Sequence, residues 1–354
     1  MPLKILLLSN NFYPFIGGIE VNSEILAKAF VEHGHEVCVL TWSRDPTKKE
    51  FPFEVVRSPG YSQLLKVHSW ADIVFENNPC LRLAWPAIIF GKPSIVALNT
   101  WISQEDGNNK IQEKLKVLWL KRAKKVIAVS HALRKVIFPS ATVIVNPYRM
   151  NLFKVMPEVK RTKDFVFLGR LVSDKGADMA IRAIYSLKKT VSVEKNLGVE
   201  PNLTIIGEGE ERQNLEELVR NLELKDNVLF KGFLRGDDLV KCLNHHRFIF
   251  IPSIWEEPFG MVALEGMACG CLPIASDGGG LPEAVGRAGI IFTKGDLDDL
   301  LKQTLEILRN PDKEEEYRNE IKQHLAYHQS NLVTKRYLDI IDGVTSGKKL
   351  PDTR

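Results

Sequence analysis

Glu257 and Glu265 stand on either side of a loop-to-helix junction. The apolar run Phe248–Ile251 stops at Pro252, and Met261, Leu264, Met267 and Ala268 recur at helical spacing. One carboxylate therefore lies just before a helix and the other about two turns into it. The helix start offers unpaired N–H groups and partial positive charge, which suit a phosphate. Glu265 is a charge in an apolar helix segment, a costly position unless something bonds it. Arg170 and Lys175 bracket a second strand-to-helix turn, Gly169 to Gly176. A planar guanidinium and a compact ammonium there can grip a diphosphate. The plainer alternative is a loop acid that caps a helix, a helix acid paired to a lysine, and solvated loop cations.

The elements that must position these residues read as alternating strands and helices. Lys4–Ser9 is a continuous apolar strand, followed by a loop with Gly17 and Gly18 and a periodic segment from Ile19 to His33 that ends at Gly34. Short strands recur at 37–40, 54–56, 72–75, 94–98, 126–129 and 142–145, the pattern of a doubly wound α/β domain. The polar, proline-containing stretch Lys154–Lys163 reads as a linker. Strands at 165–168, 203–206, 227–234, 248–251 and 272–276 make a second such domain, and 332–341 reads as a final helix. The expected boundaries are 1–150, 163–331 and 332–354, with a loose tail from Ser346. Asp296-Leu297-Asp298 opens a helix, so capping explains its acids better than a metal does. His131 reads as a helix-start residue.

The bulk numbers narrow the class. The chain has 354 residues, 44% hydrophobic and 26% charged, enough for two domains with sizeable cores. No apolar run is long enough to span a bilayer, and Met1–Lys4 leads straight into a strand, so no leader is expected. Five cysteines, an odd number, read as free thiols of a reducing compartment. Cys269 and Cys271 read as small buried residues rather than metal ligands. The net charge of +4 divides into +7 for residues 1–150 and −3 for the remainder, so the first half is the one to meet an anionic partner. The Lys110–Lys125 segment is basic, with Ile111, Leu115, Leu118 and Trp119 at helical spacing. It reads as a surface helix packed on a sheet, or as a peripheral contact with an anionic membrane. The charge is too modest for a nucleic-acid binder, and no aromatic–basic ladder accompanies it.

Glu257-x7-Glu265 resembles the paired glutamates of the retaining glycosyltransferases of family 4, which have the GT-B fold. Four further pieces in the same order strengthen the resemblance: Phe12-Tyr13-Pro14-x-x-Gly17-Gly18-x-Glu20, Gly169-Arg170-Leu171 with Lys175-Gly176, Gly207-x-Gly209, and Gly278-Gly279. The resemblance covers nearly the whole chain. It implies an α/β protein of two Rossmann-like doubly wound domains facing across a cleft, with the C-terminal helix returning to the first domain. It implies an enzyme that moves a sugar from a UDP- or GDP-linked donor to a hydroxyl acceptor, in polysaccharide or glycoconjugate synthesis, without metal or cofactor. The catalytic residues would be Glu257, Arg170 and Lys175. The donor would also meet Gly17, Gly18, Leu234, the helix start Phe259, Gly260, Met261 and Val262, and Glu265, which bonds the ribose. Phe12, Tyr13, Asn99 and Trp101 would line the acceptor side, and a lipid-linked acceptor would fit a cytoplasmic enzyme at the membrane face. Two positions depart from the family: Asn99 where many members have His, and Pro147 where Gly is usual. A nucleotide-sugar-binding subunit without transferase activity and a GT-B epimerase are the alternatives.

Overall fold

The computed structural model describes residues 2–15, 17–102 and 110–347. Met1, Ile16 and most of the Ser346–Arg354 tail lie outside the described residues, as do the side chains of Lys110 and Ile111. The chain divides into two compact units, Met1–Pro147 with Ser330–Arg354, and Tyr148–Gln329.

The N-terminal unit is built on seven strands, β1 (Lys4–Leu8), β2 (Glu36–Thr41), β3 (Glu54–Arg57), β4 (Ile73–Asn77), β5 (Ser94–Leu98), β6 (Lys125–Ala128) and β7 (Thr142–Val143). All pair in parallel, in the order β3-β2-β1-β4-β5-β6-β7. The unbroken apolar run of β1 follows from burial on both faces. Ile5 and Leu7 enter one core with Leu26, Phe30, Val39 and Phe75, while Leu6 and Leu8 enter another with Leu40, Val56, Leu64 and Val74. Successive side chains point to opposite faces, so each strand feeds both cores. The last helix, Ser330–Ser346, completes the first of them: Val333, Tyr337, Leu338 and Ile341 join it, and Tyr337 meets Phe75 edge-on at 5.7 Å.

The C-terminal unit has six strands, β8 (Lys163–Leu168), β9 (Leu203–Ile206), β10 (Val228–Gly232), β11 (His246–Ile251), β12 (Leu272–Ser276) and β13 (Ile290–Phe292). They too are all parallel, in the order β10-β9-β8-β11-β12-β13. Phe165 stacks between Phe248 and Phe250 at 5.4 and 4.7 Å, tying β8 to β11. From β8 the chain winds outward to β9 and β10, then returns to lay β11 on the other side of β8. The strand order therefore reverses between β8 and β11, and loops diverge there to leave a crevice at the carboxyl ends of the strands. The reversal in the N-terminal sheet falls between β1 and β4 by the same logic.

Candidate active site

The crevice at the ends of β8 and β11 collects most of the chemistry in the C-terminal unit. After β8 the chain runs through Arg170 to a single 3-10 turn, Ser173–Lys175, and then to Gly176, whose φ of 71° is left-handed. A Cβ at Gly176 would come within 2.0 Å of the Pro252 carbonyl oxygen, so only glycine lets this turn lie against the loop after β11. The Asp174 carbonyl completes the junction by accepting from the backbone N–H groups of Ile254 at 3.0 Å and Trp255 at 3.2 Å. This closure brings Lys175 Nζ to 2.5 Å from Glu257 Oε1, with the side chains 19% and 16% exposed. The Ser253 hydroxyl lies 2.9 Å from the same carboxylate oxygen and 3.1 Å from the Asp174 carbonyl, and donates to one of the two. Ser253 is itself held by Ser276, which donates to its carbonyl at 2.6 Å.

Behind Glu257, the glycine run fills a structural role. Gly279 has φ +59°, and a Cβ on it would meet the Glu257 carbonyl oxygen at 2.3 Å. Gly280 N–H donates to that same carbonyl at 2.6 Å. The run is a bed for the Glu257 loop. Gly207-x-Gly209 is likewise turned toward protein: a Cβ at either position would strike the carbonyl of Gly169 at 1.8 Å or of Leu171 at 2.2 Å. With Leu171 N–H donating to Glu208 O at 2.9 Å, this element clamps the loop that carries Arg170. Arg170 is exposed and forms no hydrogen bond or ion pair among the described residues.

The helix Met261–Ala268 starts at Gly260, φ +118°. The N–H groups of Met261 and Val262 have no acceptor within the helix, as at any helix start. Phe259 is buried and its ring lies 5.6 Å from that of His328. Glu265 is held inside, 14% exposed, with Arg149 Nη2 at 3.6 Å from its Oε1. Burial pushes the Glu265 carboxyl up to about 7, against the pull of Arg149. Sequence reasoning missed Arg149, which stands in the stretch resembling the family's inter-domain segment. The available signal was the acid itself, because a charge buried in an apolar helix demands a partner.

Leu234 is not joined to this cluster. It is half-buried beside Lys163, Lys231, Lys241 and Cys242, where the helix Gly236–Asn244 begins and carries the chain back along the sheet. Asp296, as expected, caps the helix Leu297–Arg309 by accepting from Asp299 N–H. Among the described residues no group of three His, Cys, Asp or Glu could hold a metal ion.

In the N-terminal unit Gly17 caps the helix Gly18–Glu32, and both glycines are exposed. Two of the acceptor-side candidates are packed into the protein. Phe12 is fully buried against Phe51 and Phe53, so it packs the loop and has no face for a ligand. Asn99 is 6% exposed and its amide is spent on the protein. Its Nδ2 donates to Asn77 Oδ1 at 2.6 Å, and its Oδ1 accepts from Asn22 at 3.2 Å. Asn77 continues the chain to Ser23 at 2.6 Å, and Ser23 meets Ser9 at 2.8 Å. This polar network sits where the strand order reverses, at the ends of β1, β4 and β5. Tyr13 remains half-buried, its ring under Lys49 Nζ at 4.4 Å and its carbonyl held by Arg57 at 2.7 Å. Trp101 is half-buried as well.

The basic segment forms the helix Lys110–Arg122, shorter than expected, because Lys125 starts β6. Trp119, read as part of its apolar face, is turned onto the sheet, where Nε1 donates to Glu76 Oε1 at 2.9 Å. Leu115 and Leu118 are 49% and 63% exposed. Among the described residues no helix is long and apolar enough to cross a membrane.

Two parallel α/β units of this topology, one with a cation–carboxylate pair at its strand reversal, define a GT-B architecture. Residues 149–324 match the model of the glycosyl transferases group 1, and this part of the chain belongs to that family. It is 37% identical over 123 residues to the uncharacterized glycosyltransferase MJ1607 of Methanocaldococcus jannaschii, covering 35% of this chain and 29% of that protein. It is 25% identical over 332 residues to one subunit of the human phosphatidylinositol N-acetylglucosaminyltransferase, covering 84% of this chain and 66% of the relative. The chain thus spans less than two thirds of these curated relatives. Among solved structures, Anabaena Alr3699/HepE in complex with UDP and glucose is similar with a TM-score of 0.80 at 20% identity, over 96% of this chain and all of that one.

Proposed function

We propose that the chain is a retaining glycosyltransferase that moves a sugar from a nucleotide diphosphate donor to a hydroxyl acceptor. The observation that carries this reading is the Lys175–Glu257 pair at the strand reversal. Lys175 and Arg170 stabilise the charge that develops on the departing diphosphate, assisted by the N–H groups at the start of the helix Met261–Ala268. Those groups supply the positive charge that a metal provides in other transferases, so the reaction proceeds without one. Glu257 orients the sugar hydroxyls, and Glu265 meets the ribose. With the Asn99 amide committed to its network and unable to act as a base, the acceptor proton goes to the leaving phosphate oxygen. The acceptor then attacks on the face from which the diphosphate departs, and the anomeric configuration is kept. The UDP and glucose of the Anabaena structure support a UDP-linked donor. The exposed Leu115 and Leu118, set among lysines, support peripheral contact with an anionic membrane at the cytoplasmic face, beside a lipid-linked acceptor.

The test is donor turnover by the isolated protein, with UDP-glucose, UDP-GlcNAc and GDP-mannose as candidates. The released sugar is followed by NMR for anomeric configuration, with and without EDTA. Retained configuration at an EDTA-insensitive rate is the expected result. Inverted product would overturn the mechanism. Donor binding by thermal shift without any turnover would turn the reading to a nucleotide-sugar-binding subunit. Flotation with anionic liposomes tests the membrane contact, and absence of binding at low salt rules it out.

A further inference from the structure

A cationic recess of the C-terminal unit includes Leu234 in its lining but neither Lys175 nor Glu257. It has a volume of about 410 Å³ and runs along the helix Gly236–Asn244. Lys163 at the start of β8, Lys231 at the bulge of β10, and Lys241 on the helix line it. Lys163 and His246 lie at the opposite ends of β8 and β11 from the loops that carry Lys175 and Glu257.

The charges there are not balanced. Asp238 is the only carboxylate in the lining. Among the described residues none of the three lysines forms a salt bridge. Two of them act on Cys242: burial raises its thiol, while Lys231 and then Lys163 pull it down. The wall also holds His245 and His246, neither of which can supply a negative charge. His246 is buried and spends both ring nitrogens, on the Cys242 carbonyl at 2.7 Å and the Thr204 hydroxyl at 2.8 Å. A neighbouring cavity of about 450 Å³ shares Thr162 and Lys163 and adds the cations Arg161, Lys195 and Arg247 and the carboxylates Asp164 and Glu200. Arg247 is committed to Glu314, and Arg161 to the carbonyls of His246 and Cys269, so Asp164 and Glu200 offset Lys195 there and the excess of positive charge belongs to the first recess. Like charges gathered in a recess raise the local potential and concentrate anions. The volume is in the range of small-molecule sites.

We propose that this recess is a second ligand site, for a small, multiply charged anion of the phosphate-ester class, separate from the donor site.

Cys242 provides the readout, because it is the one cysteine of the five that is not buried. The full chain is treated with iodoacetamide, a neutral reagent, and alkylation of Cys242 is followed by mass spectrometry as pyrophosphate is raised. Pyrophosphate should slow the alkylation several-fold and saturably in the wild type. It should do the same in Lys175→Ala, which disables the donor site. Protection should be lost in Lys231→Glu/Lys241→Glu, and in the milder Lys231→Gln/Lys241→Gln, with thermal melting confirming that each variant is folded. Three results would overturn the proposal: alkylation indifferent to pyrophosphate, equal protection by sodium chloride at matched ionic strength, or protection that vanishes in Lys175→Ala.

Discussion

Lys175 Nζ and Glu257 Oε1 meet at 2.5 Å although they belong to loops that leave different strands, β8 and β11. Those strands are adjacent because the chain reverses direction across the sheet between them. The pair is mostly enclosed, so its charges are less screened than a surface ion pair would be. Lys175→Ala should lower turnover about 10²-fold or more, the scale of losing a preorganised charge stabiliser. Steady-state kinetics with saturating donor check this, and near-normal turnover removes Lys175 from the mechanism.

Gly279 sets the position of the Glu257 loop from behind. Gly279→Ala forces a side chain at φ +59° into the Glu257 carbonyl. The expected loss of stability is about 2 kcal/mol or more, combining backbone strain with overpacking. Gly295 has a similar φ of +78° but open space around it, so Gly295→Ala should cost about half as much, from the backbone alone. Denaturant midpoints of the two variants separate the contributions.

Glu76 makes the N-terminal unit sensitive to alkaline pH. It is fully buried, and burial raises its carboxyl to about 7, opposed by hydrogen bonds from Cys80 N–H and Trp119. The folded state therefore holds this proton more tightly than the unfolded chain. The stability contributed is complete below the ordinary carboxylate range and is lost as the pH rises through about 7. Glu265, raised for the same reason, acts in the same direction. Glu76→Gln still offers Trp119 an acceptor but has no charge to bury. The melting temperature of the variant should fall less between pH 5 and 8 than that of the wild type, and an unchanged pH slope would contradict this.

Asn99→Ala should act on stability before it acts on the acceptor. It strands Asn22 and Asn77 in a buried network, at a cost of about 1–3 kcal/mol. A variant of unchanged melting temperature but raised acceptor KM would return Asn99 to the ligand.

The alternation of apolar strands with periodic helices made two doubly wound units legible in the sequence, because burial on both faces of a parallel sheet leaves uninterrupted runs such as Ile5–Leu8. The types and order of Arg170, Lys175, Glu257 and Glu265 were legible too, since cations and helix starts at strand-to-helix turns suit an anionic ligand. Their partners were not. Nothing local distinguishes Arg149 from any loop arginine, or shows that the Asn99 amide faces those of Asn22 and Asn77. Nor does spacing reveal that Gly207, Gly209 and Gly279 face carbonyl oxygens of their own chain, or that Trp119 turns inward to Glu76. Local pattern reports which face of an element is apolar. Which distant polar atom waits there depends on how the strands are ordered in the sheet, and only the assembled tertiary structure decides that.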